Sequence, residues 1–194
     1  MASALINYKG ETKALPESAV DFSDFNAKVI LFDGHEPHLS MPLAERARAQ
    51  GIVTVLDAGS VHAGTLGLMT VVDHLVCSEK FALQLYGGIE AALIKLAEIA
   101  STVVITLGEH GLIWQQGSVC GALPALTVTA IDTTGAGDAF HGAYAAALAL
   151  GLEWEEILRY ASVAGSLCCT KFGARLGLPS YQEHRDIFTQ GSWF

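Results

Sequence analysis

At 194 residues the chain is long enough for one domain with a substantial core, since single domains commonly run about 100–200 residues. Eleven basic residues face 20 acidic ones, and no Lys/Arg cluster offsets the net charge of −9, so nucleic acid is not expected as a partner. No apolar run approaches the ~18 residues of a membrane span, and no basic region precedes an apolar core at the N-terminus, so a cytoplasmic protein without a membrane partner is expected.

From residue 28 onward, short β-branched runs alternate with helical ones. Lys28–Asp33 reads as a buried strand and Ser40–Gln50 as a helix closed by Gly51. Ile52–Asp57 is the next strand, followed by a helix around Gly64–Val72 and a short strand at His74–Cys77. Glu79–Tyr86 and Ile89–Ala100 read as helices separated by Gly87-Gly88. Thr102–Leu107 is another apolar strand, and Leu112–Gln115 with Ser118–Gly121 reads as a hairpin across Gln116-Gly117. Thr127–Ile131 then leads into a glycine turn and three helical segments near 136–151, 153–171 and 180–189. Such alternation predicts an α/β fold, a mostly parallel sheet with helices on both faces and ligands at the carboxyl ends of its strands. The first ~20 residues differ: Leu5–Thr12 has strand character without a partner strand before it. The four cysteines lack metal-ligand spacing and are expected as free, mostly buried thiols.

The most informative run is Asp132-Thr133-Thr134-Gly135-Ala136-Gly137-Asp138-Ala139-Phe140-His141-Gly142. A small-residue turn entering a helix leaves backbone N–H groups unpaired at the positive end of the helix dipole, which suits an anion and above all phosphate. Asp138 within that turn could take a proton from a hydroxyl held beside the anion; it could also simply cap the helix. The geometry suggests phosphoryl transfer to an alcohol. The run lacks the Lys of a Walker loop and the third glycine of a dinucleotide fingerprint, where Phe140 stands. Asp132 suits a turn-forming position bonded to local N–H groups. His35-Glu36-Pro37-His38 is not a His-Glu-x-x-His metal motif. His141 suits a packed or rim position, Trp114 and Tyr144 the core, and Arg175 the surface.

Asp-Thr-Thr-Gly-Ala-Gly-Asp-Ala-Phe resembles the C-terminal signature of the PfkB, or ribokinase-like, carbohydrate kinases. Thr106-Leu107-Gly108-Glu109-His110-Gly111 resembles the family's nucleotide-site turn, and Gly173-Ala174-Arg175-Leu176-Gly177-Leu178-Pro179 its closing segment. The three matches occur in the family's order over roughly residues 28–190. The resemblance implies a ribokinase-like fold and ATP-dependent phosphorylation of a sugar hydroxyl, with Mg2+. Asp138 is then the catalytic base, and the N–H groups of Gly135, Ala136 and Gly137 stabilise the transferred phosphoryl group. Thr106, Gly108, Gly111, Thr134, Gly135 and Gly137 would bind the nucleotide. Asp132 would support the metal–phosphate end, and a monovalent cation such as K+ would sit near Thr134 and the 169–175 loop. It further implies that residues 1–20 are a remnant of lid strands ahead of a nucleotide-binding domain over 21–194. The family's N-terminal portion and most of its β lid are then missing. An uncovered lid strand would favour a homodimer or larger assembly.

One departure concerns the metal. Many members carry Asn-x-x-Glu where this chain reads Ser78-Glu79-Lys80-Phe81-Ala82, so Ser78 replaces Asn and Phe81 replaces Glu. The Ser-x-x-x-Ala pattern resembles ketose and sulfosugar kinases. A reading from another class is a non-catalytic nucleotide-binding module acting through a partner, because an acceptor must be held in place for transfer to occur.

Overall fold

The computed structural model describes residues 10–11, 13–22 and 26–190. The strand expected at Leu5–Thr12 lies outside them, apart from a turn at Gly10 and Glu11. Six strands form one sheet in sequential order: β1 (Val29–Phe32), β2 (Val53–Ala58), β3 (His74–Ser78), β4 (Thr102–Thr106), β5 (Leu112–Gln116) and β6 (Val119–Leu123). The first four run parallel and the last two antiparallel. The helices are α1 (Pro37–Ala49), α2 (Ala63–Leu68), α3 (Glu79–Tyr86), α4 (Ile89–Ala97), α5 (Ala136–Leu150), α6 (Trp154–Cys168), α7 (Ala174–Gly177) and α8 (Tyr181–Gln190).

The two-residue period of a strand explains why the sheet is covered on both sides. Leu56, Ala58, Leu75, Cys77, Val103 and Ile105 point to one face, where they pack with Ala44 of α1, Leu68 of α2, Phe81 of α3 and Leu96 of α4. Their neighbours Val55, Val76 and Val104 point to the other face, against Phe140, Tyr144 and Ala147 of α5 and Ile157, Leu158 and Ala161 of α6. In α5 the spacing of Phe140, Tyr144 and Ala147 draws one apolar stripe down the helix. Gly165 of α6 lets the two helices approach, since a Cβ there would lie 3.2 Å from the carbonyl of Ala136. The fold is the mostly parallel α/β sheet with helices on both faces that the alternation predicts.

Several boundaries differ from expectation. The hairpin turns at Gly117-Ser118, one residue later than expected, because Gln116 pairs with Val119. Gly117 takes φ 58°, the left-handed conformation such a short turn needs. Helix α1 starts at Pro37 rather than near Ser40, Pro being well suited to the first helical position. Thr127–Ile131, though β-branched, joins no strand, and the N–H groups of Ile131 and Asp132 both donate to the carbonyl of Cys169. Its last residues therefore lace two loops together instead of extending the sheet.

Candidate active site

In the parallel part of the sheet the carboxyl ends of the strands share one edge, and the chain places acids there. Asp33 follows β1 directly, and Asp57 stands next to last in β2. Asp57 shares the face of Val55, two residues earlier, and so looks toward α5. Helix α5 begins at the same edge and brings Asp138 in its first turn. Asp33, Asp57 and Asp138, with Leu31, Phe32 and Ser40, line an open pocket of ≈ 420 Å³.

The turn ahead of α5 is built by glycine for two physical reasons. Gly135 adopts φ 81°, where side chains are strained, and a Cβ on it would lie 2.6 Å from the Cβ of Ala174. The N–H of Ala136 is engaged by the carbonyl of Thr133 at 3.2 Å, and that of Ala139 by Gly135. The N–H groups of Gly135, Gly137 and Asp138 have no backbone partner among the described residues. Of the three amides expected to face an anion, Ala136 is therefore the one turned to the protein itself.

Asp132 holds this turn to the loop after α6. One carboxylate oxygen accepts from the N–H of Thr134 at 2.9 Å and the other from the N–H of Gly173 at 2.8 Å. The bonds to Thr134, then that to Gly173, hold its carboxyl below the ordinary value. Cys168 adds a weaker tie, its thiol lying 3.8 Å from the carbonyls of Thr134 and Ala174. Burial, then the charges of Asp138 and Asp132, push that thiol up and keep it protonated.

Beneath Asp138, His141 is 2% exposed. Its Nδ1 lies 2.6 Å from the carbonyl of Gly137 and 3.3 Å from Oδ2 of Asp57, and its Nε2 lies 3.1 Å from the carbonyl of Val76. Burial lifts the carboxyl of Asp57 above its ordinary value; His141 pulls it down, and Asp138 and Asp33 push it up further.

The turn Thr106–Gly111 occupies the same sheet edge but does not line the acid pocket. Gly108–His110 forms one 3-10 turn, and the N–H of Leu107 donates to the carbonyl of Gly111 at 2.7 Å. Gly111 is obligatory there: at φ 85° its Cβ would sit 2.0 Å from the carbonyl oxygen of Leu123. Ser78 caps α3, accepting from the N–H of Phe81, and its hydroxyl donates to Gly59. Phe81 itself is wholly buried in the core, so no ligand can be drawn from that position. Among the described residues no group of three or more His, Cys, Asp or Glu side chains could hold a metal ion. His35 instead stacks on His62, and its N–H donates to Asp33. Tyr144 is fully buried and bonded to His74, Trp114 packs edge-on against Trp154, and Arg175 is exposed.

Sequence reasoning points to neither Asp33 nor Asp57. The available signal was an acid closing each of two successive strand runs, Lys28–Asp33 and Ile52–Asp57, which a parallel pairing brings side by side.

Comparison with known proteins agrees with this architecture. The ribokinase of Lactococcus lactis is 28% identical over 158 residues, covering 81% of this chain and 52% of that protein. The ribokinase of Staphylococcus aureus is 30% identical over 185 residues, 89% of this chain and 60% of that one. The structure of Arabidopsis thaliana ribokinase complexed with ribose and ATP superposes with a TM-score of 0.75 at 27% identity, over 84% of this chain and 56% of that one. The chain thus spans about half the length of the curated relatives it matches. No helix among the described residues is long and apolar enough to cross a membrane. The model of the pfkB family of carbohydrate kinases matches residues 20–180, and the chain belongs to that family.

Proposed function

We propose that the chain carries the nucleotide-binding and catalytic part of an ATP-dependent sugar kinase, with Asp138 as the base that deprotonates the acceptor hydroxyl. The observation that supports this most is the placement of Asp138: it lines an open pocket and stands in the first turn of a helix where, among the described residues, the N–H groups of Gly135, Gly137 and Asp138 lack backbone partners. A phosphate at Gly135 and Gly137 would lie beside a carboxylate able to accept the hydroxyl proton. Phosphoryl transfer asks mainly for positioning and charge stabilisation, which N–H groups held by a rigid helix supply. The Thr106–Gly111 turn, on the same sheet edge, would line the nucleotide, and Thr134 would border its phosphates.

Magnesium fits this chain as a companion of the nucleotide. With no three-ligand group among the described residues, it would be held by phosphate oxygens and at most one or two carboxylates, a common arrangement for this ion. Bound there it would screen the phosphate charge. In the same reading, Asp132 clamps the turn and supports the phosphate end, and a monovalent cation such as K+ sits near Thr134 and the 169–175 loop. A homodimer or larger assembly in a cytoplasmic setting completes the reading.

A second reading, a nucleotide-binding module without transfer activity of its own, is favoured by Ser78 and the wholly buried Phe81, which stand where many family members carry Asn and Glu. Calorimetric titration with MgATP and MgADP tests the common part. The expected result is saturable adenine-nucleotide binding by the folded protein, and its absence would reject both readings. Sugar-dependent ADP release by the purified chain would exclude the second.

A further inference from the structure

Among the described residues, neither ring nitrogen of His141 meets a donor. Nδ1 faces the carbonyl of Gly137 and the carboxylate of Asp57, and Nε2 faces the carbonyl of Val76. A neutral imidazole carries hydrogen on one nitrogen only. Protonated at Nδ1 alone, it would set the lone pair of Nε2 against a carbonyl oxygen at 3.1 Å. Protonated at Nε2 alone, it would set the lone pair of Nδ1 against a carbonyl at 2.6 Å and a carboxylate at 3.3 Å. Either tautomer leaves a buried acceptor facing an acceptor; only the imidazolium satisfies all three oxygens. The ring is 2% exposed, so water cannot relieve the mismatch.

The charged groups around it are few. Asp57 comes from β2 and Asp138 from one turn earlier on α5, while β3 offers the Val76 carbonyl and, two residues before it, His74, which is bonded to Tyr144 of α5. Asp33, after β1, and His35 act on the pair through Asp57. Phe140 packs edge-on against the ring, with centroids 5.8 Å apart.

We infer that His141 is held as an imidazolium whose pairing with Asp57 makes it a positioning residue for Asp138 and the phosphate seat. Its charge cancels that of Asp57, so the pocket presents one fewer uncompensated carboxylate to an incoming anion. It also fixes the Asp57 side chain and, through the Gly137 carbonyl, the first turn of α5 that carries the base. The effect on the phosphate seat rests on the kinase reading; the charge state of the ring does not.

Nitrogen NMR of the full chain with labelled histidines, assigned by the signal lost in His141→Gln, reads that charge state directly. Expected at pH 7 are two proton-bearing ring nitrogens for His141, and only one once Asp57→Asn removes the carboxylate that faces Nδ1. A bare ring nitrogen in the unsubstituted protein, or two proton-bearing nitrogens that persist in Asp57→Asn, overturns the inference. MgADP calorimetry on the same proteins reads the coupling. His141→Gln weakens binding by about tenfold or more, because like charges set against one another at a binding site are this costly. Adding Asp57→Asn to His141→Gln restores most of the affinity, which loss of packing alone would not do, and absence of that rescue overturns the positioning role. Unchanged NMR with no nucleotide binding by any form would reject the kinase reading while leaving the imidazolium in place.

Discussion

The same substitution, glycine to alanine, should have opposite consequences at two positions seven residues apart. At Gly135 the backbone stands at φ 81°, and an added Cβ meets the Cβ of Ala174 at 2.6 Å and its Cα at 3.0 Å. The left-handed conformation costs a residue with a Cβ about 1–2 kcal/mol. Forcing a methyl against the facing segment adds about 1–3 kcal/mol. The expected loss is therefore about 3 kcal/mol, which in a domain of this size lowers Tm by roughly 6–12 °C. Gly142 lies inside α5 with nothing within 4 Å of its would-be Cβ, and its φ is not positive. There alanine relieves the backbone-entropy cost of a helical glycine and stabilises by about 0.5–1 kcal/mol, raising Tm by roughly 1–4 °C. Thermal unfolding followed by circular dichroism, with urea titration for the free energies, measures both. A Gly135→Ala protein melting with the unsubstituted chain would refute the close approach of the Gly135 turn to Ala174. A comparable loss from both substitutions would show that the position of the glycine is immaterial.

Phe81→Ala opens a cavity in the core under α3 and should cost about 3–5 kcal/mol in urea unfolding, with no bound nucleotide needed to see it. Asp73→Ala removes the carboxylate oxygen that accepts from both the N–H and the hydroxyl of Thr54, leaving two part-buried donors bare. The same assay should register about 1–3 kcal/mol. Asp132 is held below the ordinary carboxyl value, so its contribution is complete above the unfolded value near ~3.9 and is lost as pH falls through the lower folded value. Asp132→Asn should accordingly destabilise at neutral pH, and the difference from the unsubstituted protein should vanish in the most acidic part of the stability curve. A difference constant down to that limit would contradict the clamp.

What the sequence discloses and what it withholds follow from the range of each interaction. Strand runs such as Thr102–Leu107 and helices such as Glu79–Tyr86 are legible because alternation and capping are local: Ser78 caps α3 within three residues, and Gly87 closes it at φ 70°. The turn at Gly135 is legible because its glycines answer to local backbone geometry. Thr127–Ile131 is misleading for the opposite reason, since β-branched composition says nothing of whether a strand partner is within reach. The acid pocket is also non-local. Asp33 and Asp57 become neighbours only through the parallel pairing of β1 with β2, and Asp57 meets His141 only because α5 docks on the Val55 face. Its surroundings could not be read from Ala139–Gly142 alone, although a packed position for His141 was.

In the proposed reaction, Asp138 accepts the proton of a sugar hydroxyl beside a nucleotide phosphate held at the Gly135 turn. The most direct test follows ADP release from MgATP across a panel of pentoses and hexoses for the unsubstituted chain and for Asp138→Asn, with nucleotide affinity measured on both. Expected is sugar-dependent release by the unsubstituted chain alone, abolished in Asp138→Asn, with nucleotide affinity largely the same in the two. Sugar-dependent release that persists undiminished in Asp138→Asn would contradict it.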